Sequence, residues 1–228
     1  MAGISRAYKR RGNMVANTGA PVMCLDAGSK LSYPGSGTTW TDLSGNGNTG
    51  TLTNGPTFDS ANGGSIVFNG SNYVSAPDAS SLAFGSGSCT LVSIFRTTDA
   101  DGSPLSKRTA IGTGPQNYIH RTHFYADGGG TAGVDTAQVV NNNAWHICVS
   151  VYNRPSGVLQ LYVNGVFSVS VAFGATNLTD TAQVRIGYSH FVDGWLIGSV
   201  ALALMYNRAL SAAEITTNFE LTRGRYGI

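Results

Sequence analysis

Hydrolysis of a glycosidic bond needs two carboxyl groups flanking that bond, one to protonate the leaving oxygen and one to attack or to activate water. The 228-residue sequence holds only two glutamates, Glu214 and Glu220. Both fall in one C-terminal segment, and Glu214 is accounted for by a helix cap. Asp99 and Asp101 alternate, but they sit beside Gly102-Ser103-Pro104, which reads as a loop. No strand-like run carries an acidic alternation, so an enzyme is not expected. No GxSxG elbow and no phosphate loop occur.

The remaining candidate chemistry is binding. Asp42, Asp127, Asp135 and Asp193 are loop positions that could offer oxygen to Ca²⁺. They do not cluster as ligands of one loop would, so the favoured reading is that they start turns and that no cofactor is held. The run Asn117 to Tyr125 is denser in useful groups. Tyr118, His120, Arg121 and Tyr125 combine aromatic faces, on which sugar rings stack, with groups that bond hydroxyls. They form the candidate carbohydrate-binding set. Treated as one strand, the run puts His120 and His123 on opposite faces, which argues against joint chelation of a metal.

These residues must be positioned by short elements. Only 11% of the residues are charged and 30 are glycine, which fits short strands and many turns. From Pro21 onward apolar and polar residues alternate in short runs cut by Gly, Asn, Asp and Pro. Cys89 to Phe95 puts Cys89, Leu91 and Phe95 on one face and Val92 and Ile94 on the other. Both faces are apolar, so both should be covered. Trp145 to Tyr152, the turn Arg154–Gly157, Val158 to Val163, the turn Asn164-Gly165 and Val166 to Val171 predict consecutive hairpins. Val184 to Tyr188 and Leu196 to Tyr206 add two strands, for about a dozen in all. Ser211-Ala212-Ala213-Glu214 is a capping box, with Leu210 and Ile215 as its hydrophobic staple. The helix it starts is expected to stop before Gly224. The fold class is therefore all-β, one domain over residues 21–228.

Residues 1–20 read as a basic arm. Arg6, Lys9, Arg10 and Arg11 crowd its first half, with Ile4 and Tyr8 able to add apolar contact. The net charge of only +2 argues against nucleic acid as the partner. Cys24, Cys89 and Cys148 do not make a disulfide framework and are expected to be free. The N-terminus lacks the apolar run of a secretory signal, and no segment has the roughly 20 apolar residues of a membrane span. Assembly in a cytoplasm is the expectation.

Several segments resemble a known family. Trp40 to Phe58 (WTDLSGNGNTGTLTNGPTF), Ser65 to Val74 (SIVFNGSNYV), Leu159 to Gly165 (LQLYVNG) and Met205 to Ile215 (MYNRALSAAEI) are similar to the concanavalin A-like lectin/glucanase superfamily. The similarity is greatest to its laminin-G-like jelly-roll branch. The resemblance implies a two-sheet antiparallel jelly-roll sandwich and a non-enzymatic role. Such domains occur in adhesins, in carbohydrate-active enzymes and in bacteriophage structural proteins. One departure is informative: relatives carry an acidic pair in the strand before YNRALS, whereas this chain has Val200-Ala201-Leu202-Ala203-Leu204-Met205. Strict alternation groups Val200, Leu202 and Leu204 on one face. It puts Ala201, Ala203 and Met205 on the other, a candidate interface that the chain itself or a neighbouring subunit must cover. The first functional expectation is a virion component, a capsid decoration, tail or fibre part, attached through the arm to other virion proteins or to copies of itself. The alternative is a carbohydrate-binding adhesin or recognition module.

Overall fold

The computed structural model describes residues 19–109, 114–128, 131–174, 177–178, 180–189 and 194–228. The arm residues Ile4, Arg6, Tyr8, Lys9, Arg10 and Arg11, and the calcium candidate Asp193, lie outside them. Among the described residues the strands are β1 (Met23–Asp26), β2 (Thr39–Trp40), β3 (Gly50–Thr53), β4 (Thr57–Asp59), β5 (Ser65–Asn69), β6 (Tyr73–Ala76), β7 (Cys89–Thr97) and β8 (Asp101–Ser106). They continue with β9 (Gln116–His120), β10 (His123–Gly128), β11 (Thr131–Val139), β12 (Trp145–Asn153), β13 (Val158–Val163), β14 (Val166–Ala172), β15 (Val184–Ile186) and β16 (Ile197–Tyr206). One α-helix, α1 (Ala212–Tyr226), closes the chain.

The strands form two eight-stranded antiparallel sheets. The first runs β14-β13-β12-β7-β16-β5-β4, with β1 also paired to β16; the second runs β11-β10-β9-β8-β15-β6-β3-β2. Their inner faces enclose a core in which Trp40, Phe68, Phe95, Phe124 and Tyr152 are fully buried or nearly so. The β12–β13 and β13–β14 hairpins form as the sequence predicts, with Asn164 and Gly165 both at positive φ in the second turn. Cys24, Cys89 and Cys148 are buried and form no disulfide, and burial raises the thiol pKa of Cys89 and Cys148.

The two faces of β7 are both covered, as its pattern requires. Cys89, Leu91 and Phe95 enter the core between the sheets, and Val92 and Ile94 enter a second cluster on the outer side of the first sheet. That second cluster lies under α1. Ile215, Asn218, Thr222 and Tyr226 repeat at helical spacing along the buried stripe of the helix. Tyr226 packs on Trp145 at 5.4 Å between ring centroids. The capping box is complete: the Ser211 hydroxyl accepts from the Glu214 amide, and the Glu214 carboxylate accepts from the Ser211 amide. Leu210 and Ile215 are both buried in this cluster.

The helix does not stop before Gly224. It runs through that residue to Tyr226 and ends at Gly227, which takes the left-handed conformation at φ 70°. A glycine within a helix costs about 1 kcal/mol, and here the docking of the last turn offsets it. Arg225 places its guanidinium on both oxygens of the buried Asp26 carboxylate, at 2.7 and 3.1 Å, and donates to the Gly63 carbonyl. This contact closes on β1 from the far end of the chain. A Cβ on Gly28 or Gly63 would collide with Arg225.

The interface expected at Ala201, Ala203 and Met205 is corrected. All three are fully buried inside the chain. A bulge between Val200 and Leu202 breaks strict alternation, because β16 pairs with β5 up to Val200 and with β1 from Leu202. Val200 therefore joins Ala203 and Met205 in the core between the sheets. Ala201, Leu202 and Leu204 join the cluster under α1. The cover that the apolar strand demands is this chain's own helix.

Candidate functional site

With α1 over the central strands of the first sheet, the outer face of the second sheet is the candidate binding surface. Its register is unusually informative. Asp127, Gln116, Ser106, Arg185, Ser75, Thr51 and Thr39 are successive cross-strand partners, one residue from each of seven adjacent strands. Directly opposed residues point to the same side of a sheet, so this is one polar row spanning β10 to β2. Its two ends differ. Thr39, Thr51, Ser75 and Arg185 reach solvent, whereas Ser106, Gln116 and Asp127 are buried.

The buried end is sealed by a polar network. Gln116 donates to Asp127 (2.8 Å) and accepts from the Ser189 hydroxyl (3.0 Å), and the Ser106 hydroxyl donates to the Tyr188 carbonyl. The Arg108 guanidinium binds Asp127. Burial nevertheless lifts the Asp127 carboxyl above its ordinary range, with Arg108 and Gln116 pulling it back. Beside it, buried Lys107 donates to Asp78 and to the carbonyls of Asp180 and Ala182. Underneath, Asn117 bridges the sandwich, donating to Ser93 and accepting from Ser150. These contacts hold β9 at a fixed height over the first sheet.

One step along the same face lie the predicted sugar-binding residues. The run Asn117 to Tyr125 is not one strand but a hairpin, turning at Arg121 and Thr122, with Arg121 at φ 60°. His120 and His123 are therefore direct cross-strand partners on the same face, not on opposite faces. The missed signal is the turn itself, because Arg-Thr has none of the usual Asn-Gly chemistry. Each histidine is engaged elsewhere: His120 Nδ1 lies 3.1 Å from both Asp135 oxygens, and His123 Nδ1 meets the Thr122 hydroxyl. Among the described residues no three His, Cys, Asp or Glu side chains are grouped to hold a metal ion.

The structure brings Tyr118, His120 and Tyr125 together. The Tyr125 ring packs edge-on to Tyr118 (6.3 Å) and to His120 (5.5 Å). It also lies over Gly133, where any Cβ would strike it. Tyr118 is nearly buried and its hydroxyl reaches Asp101 at 3.5 Å. Burial, then the nearby Asp101 and Asp99, push its pKa up to about 12. Arg121 stands apart at the exposed tip of the turn.

Two of the calcium candidates described so far, Asp127 and Asp135, are thus committed to Arg108 and His120. Asp42 organises its own loop: its carboxylate accepts from the amides of Cys24, Ser44 and Asn48 and from the Ser44 hydroxyl. This is the turn-building role of aspartate.

A second aromatic group on this face was not singled out from sequence. Tyr188 and Trp195 stack at 4.1 Å, and Tyr73 packs against both at 5.9 and 6.1 Å. The Arg185 guanidinium lies over Tyr73 at 5.4 Å and over Tyr188 at 5.2 Å. Tyr73 and Trp195 keep part of their surface in solvent. Tyr73 stands on β6, Arg185 on β15, and Tyr188 and Trp195 flank the loop between β15 and β16. No local spacing joins Tyr73 to Trp195, so a sequence pattern does not reveal the group.

These features define a lectin-type sandwich, and the comparisons agree. The chain belongs to the concanavalin A-like lectin/glucanases superfamily, whose model matches residues 68–216. Among solved structures it is similar to the binding domain of Paraclostridial Mosquitocidal Protein 1 (14% identity, TM-score 0.69, covering 88% of this chain and 52% of that one). It is also similar to domain 4 of AbnA, a GH43 extracellular arabinanase from Geobacillus stearothermophilus, in complex with arabinotriose (15% identity, TM-score 0.66, covering 90% and 100%). A third is a structure of botulinum neurotoxin type C, whose cell entry depends on interaction with two ganglioside molecules (9% identity, TM-score 0.67, covering 88% and 51%). The chain spans about half the length of these toxin structures. No curated protein sequence matches it.

Proposed function

We propose that this chain is a non-catalytic carbohydrate-recognition module that binds glycan on the outer face of its second sheet. The observation that carries the reading is the asymmetry of the sandwich. α1 covers the central strands of one outer face, while the other presents half-exposed Tyr125, His120, Tyr73 and Trp195 beside a polar row. Aromatic faces supply the apolar contact a sugar ring needs, and Asp101, Asp135, Ser75 and Thr51 supply hydrogen-bonding groups for its hydroxyls. Two structural neighbours, one solved with arabinotriose and one tied to gangliosides, support the ligand class. The test is a glycan array read with the full chain, repeated with Tyr125→Ala. Binding that Tyr125→Ala weakens is expected; no glycan signal, or release of reducing sugar that Asp101→Asn abolishes, overturns the proposal.

A virion-attached form of the module, assembled in a host cytoplasm, is the second reading. Its support is the basic cluster Arg6, Lys9, Arg10 and Arg11 in the sequence; the apolar last strand no longer argues for a neighbouring subunit. Deleting residues 2–20 should leave the sandwich folded yet abolish co-sedimentation with the particle. Retained attachment rejects the arm as the anchor.

A further inference from the structure

The two aromatic groups are not independent patches. From the polar row, Tyr118 and Tyr125 stand two residues along β9 and β10, and Tyr73 stands two residues along β6. Following the alternating strand directions through β8 and β15, all three are displaced to the same side of that row. Tyr125 and Tyr73 therefore face outward at the same level, separated by four strand spacings. At 4.7–4.9 Å per spacing that is about 19 Å. Tyr188 and Trp195, flanking the loop that follows β15, enter the same face between them, in contact with Tyr73.

We infer that the two groups are the end subsites of one site for a linear, neutral oligosaccharide of several units lying across the strands. The inference rests on the carbohydrate reading above and adds the ligand's length, direction and charge class. A single sugar or a short branched headgroup spans one platform and leaves the other unused. Both platforms are already packed against neighbours: Tyr125 is wedged between Tyr118, His120 and Gly133, and Tyr73 is backed by Arg185 and Trp195. Neutrality follows from the charges on the face. Asp127 is matched by Arg108, Asp135 sits against the His120 ring nitrogen, and Arg185 lies over two rings. The groups beside the platforms are hydroxyls (Thr51, Thr53, Ser75) and the Asp101 carboxylate, which accepts from sugar hydroxyls and repels an acidic glycan. Trp195 also provides the reporter, since Trp40 and Trp145 are buried and only Trp195 is half-exposed.

The experiment titrates the full chain with size series, two to eight units, of arabinan, xylan, β-glucan and galactan oligosaccharides, read by tryptophan fluorescence and calorimetry. Joining two subsites through one ligand raises affinity by about 10²-fold or more. At least one series should show that gain once the oligosaccharide is long enough to reach both platforms. Tyr73→Ala should remove the gain and leave the shortest binding oligosaccharide unaffected, Tyr73→Phe should keep it, and Tyr125→Ala should also remove it. Affinity independent of length, or a length gain that survives Tyr73→Ala, overturns the two-platform site while the carbohydrate reading stands. Array binding confined to acidic or short branched glycans does the same. Absence of binding to these series and to the array alike overturns both.

Discussion

The outer faces of the two sheets solve opposite problems with the same backbone geometry. On the first sheet, β7, β12 and β16 are apolar on both sides, and the outward residues Ile94, Ile147, Val149, Leu202 and Leu204 are sealed by α1. On the second sheet, the outward residues are mostly polar or aromatic, and much of the face remains open. The difference is already in the strand patterns. A strand buried on both sides tolerates no polar alternation, whereas a strand with one wet side requires it. The lesson is that a sandwich of this kind commits one face to stability and leaves the other to recognition, so substitutions on the two faces should fail in different ways.

The largest effect is expected under the helix. Tyr226→Ala removes the ring that packs on Trp145 and should cost about 3–5 kcal/mol, read as a lower urea midpoint with glycan binding kept in the surviving folded fraction. Next is the lock between the helix and β1. Arg225→Ala leaves the Asp26 carboxylate buried without its cation, a loss of about 3 kcal/mol; a midpoint unchanged within error would show that α1 holds by apolar contact alone. Ser211→Ala should cost about 1 kcal/mol through the lost cap.

The cap also carries a pH dependence. The Arg208 guanidinium, and then the Ser211 amide and hydroxyl, hold the Glu214 carboxyl at about 2, below its ordinary 4.5. A depressed folded pKa contributes stability that is present above pH 4.5 and lost as pH falls toward 2. Acid titration of Glu214→Gln should lack that component. The smallest stability effects belong to the open face. Tyr73→Ala and Tyr125→Ala should each cost about 0.5–1 kcal/mol through their lost ring contacts, while abolishing the length-dependent gain in affinity. A large loss of stability from either would mean that this face, too, is structural.

What the sequence made legible was local. The capping box at Ser211 and Glu214 and the turn at Asn164-Gly165 declare themselves within a few residues, and both are present. The two-faced apolar pattern of β7 is equally local. Features that depend on a distant partner were not legible. The bulge beside Ala201 exists because β16 exchanges β5 for β1, a fact about residues over 100 positions away. The hairpin at Arg121 lacks a recognisable turn pair. Half of the candidate site, Tyr118, His120 and Tyr125, came from one dense run; the other half, Tyr73 with Trp195, is assembled only by the sheet.

The placement of β16 has a consequence for the order of events during synthesis. This strand is flanked by β7 along its length and by β5 and β1 in turn, so the first sheet cannot close until residues 197–206 have left the ribosome. Until then three earlier strands wait with unpaired edges, and the Arg225–Asp26 contact, 199 residues apart in sequence, is among the last to form. Closure over such long loops is intrinsically slow. A nascent or truncated chain lacking this strand therefore exposes apolar edges that invite pairing with other chains.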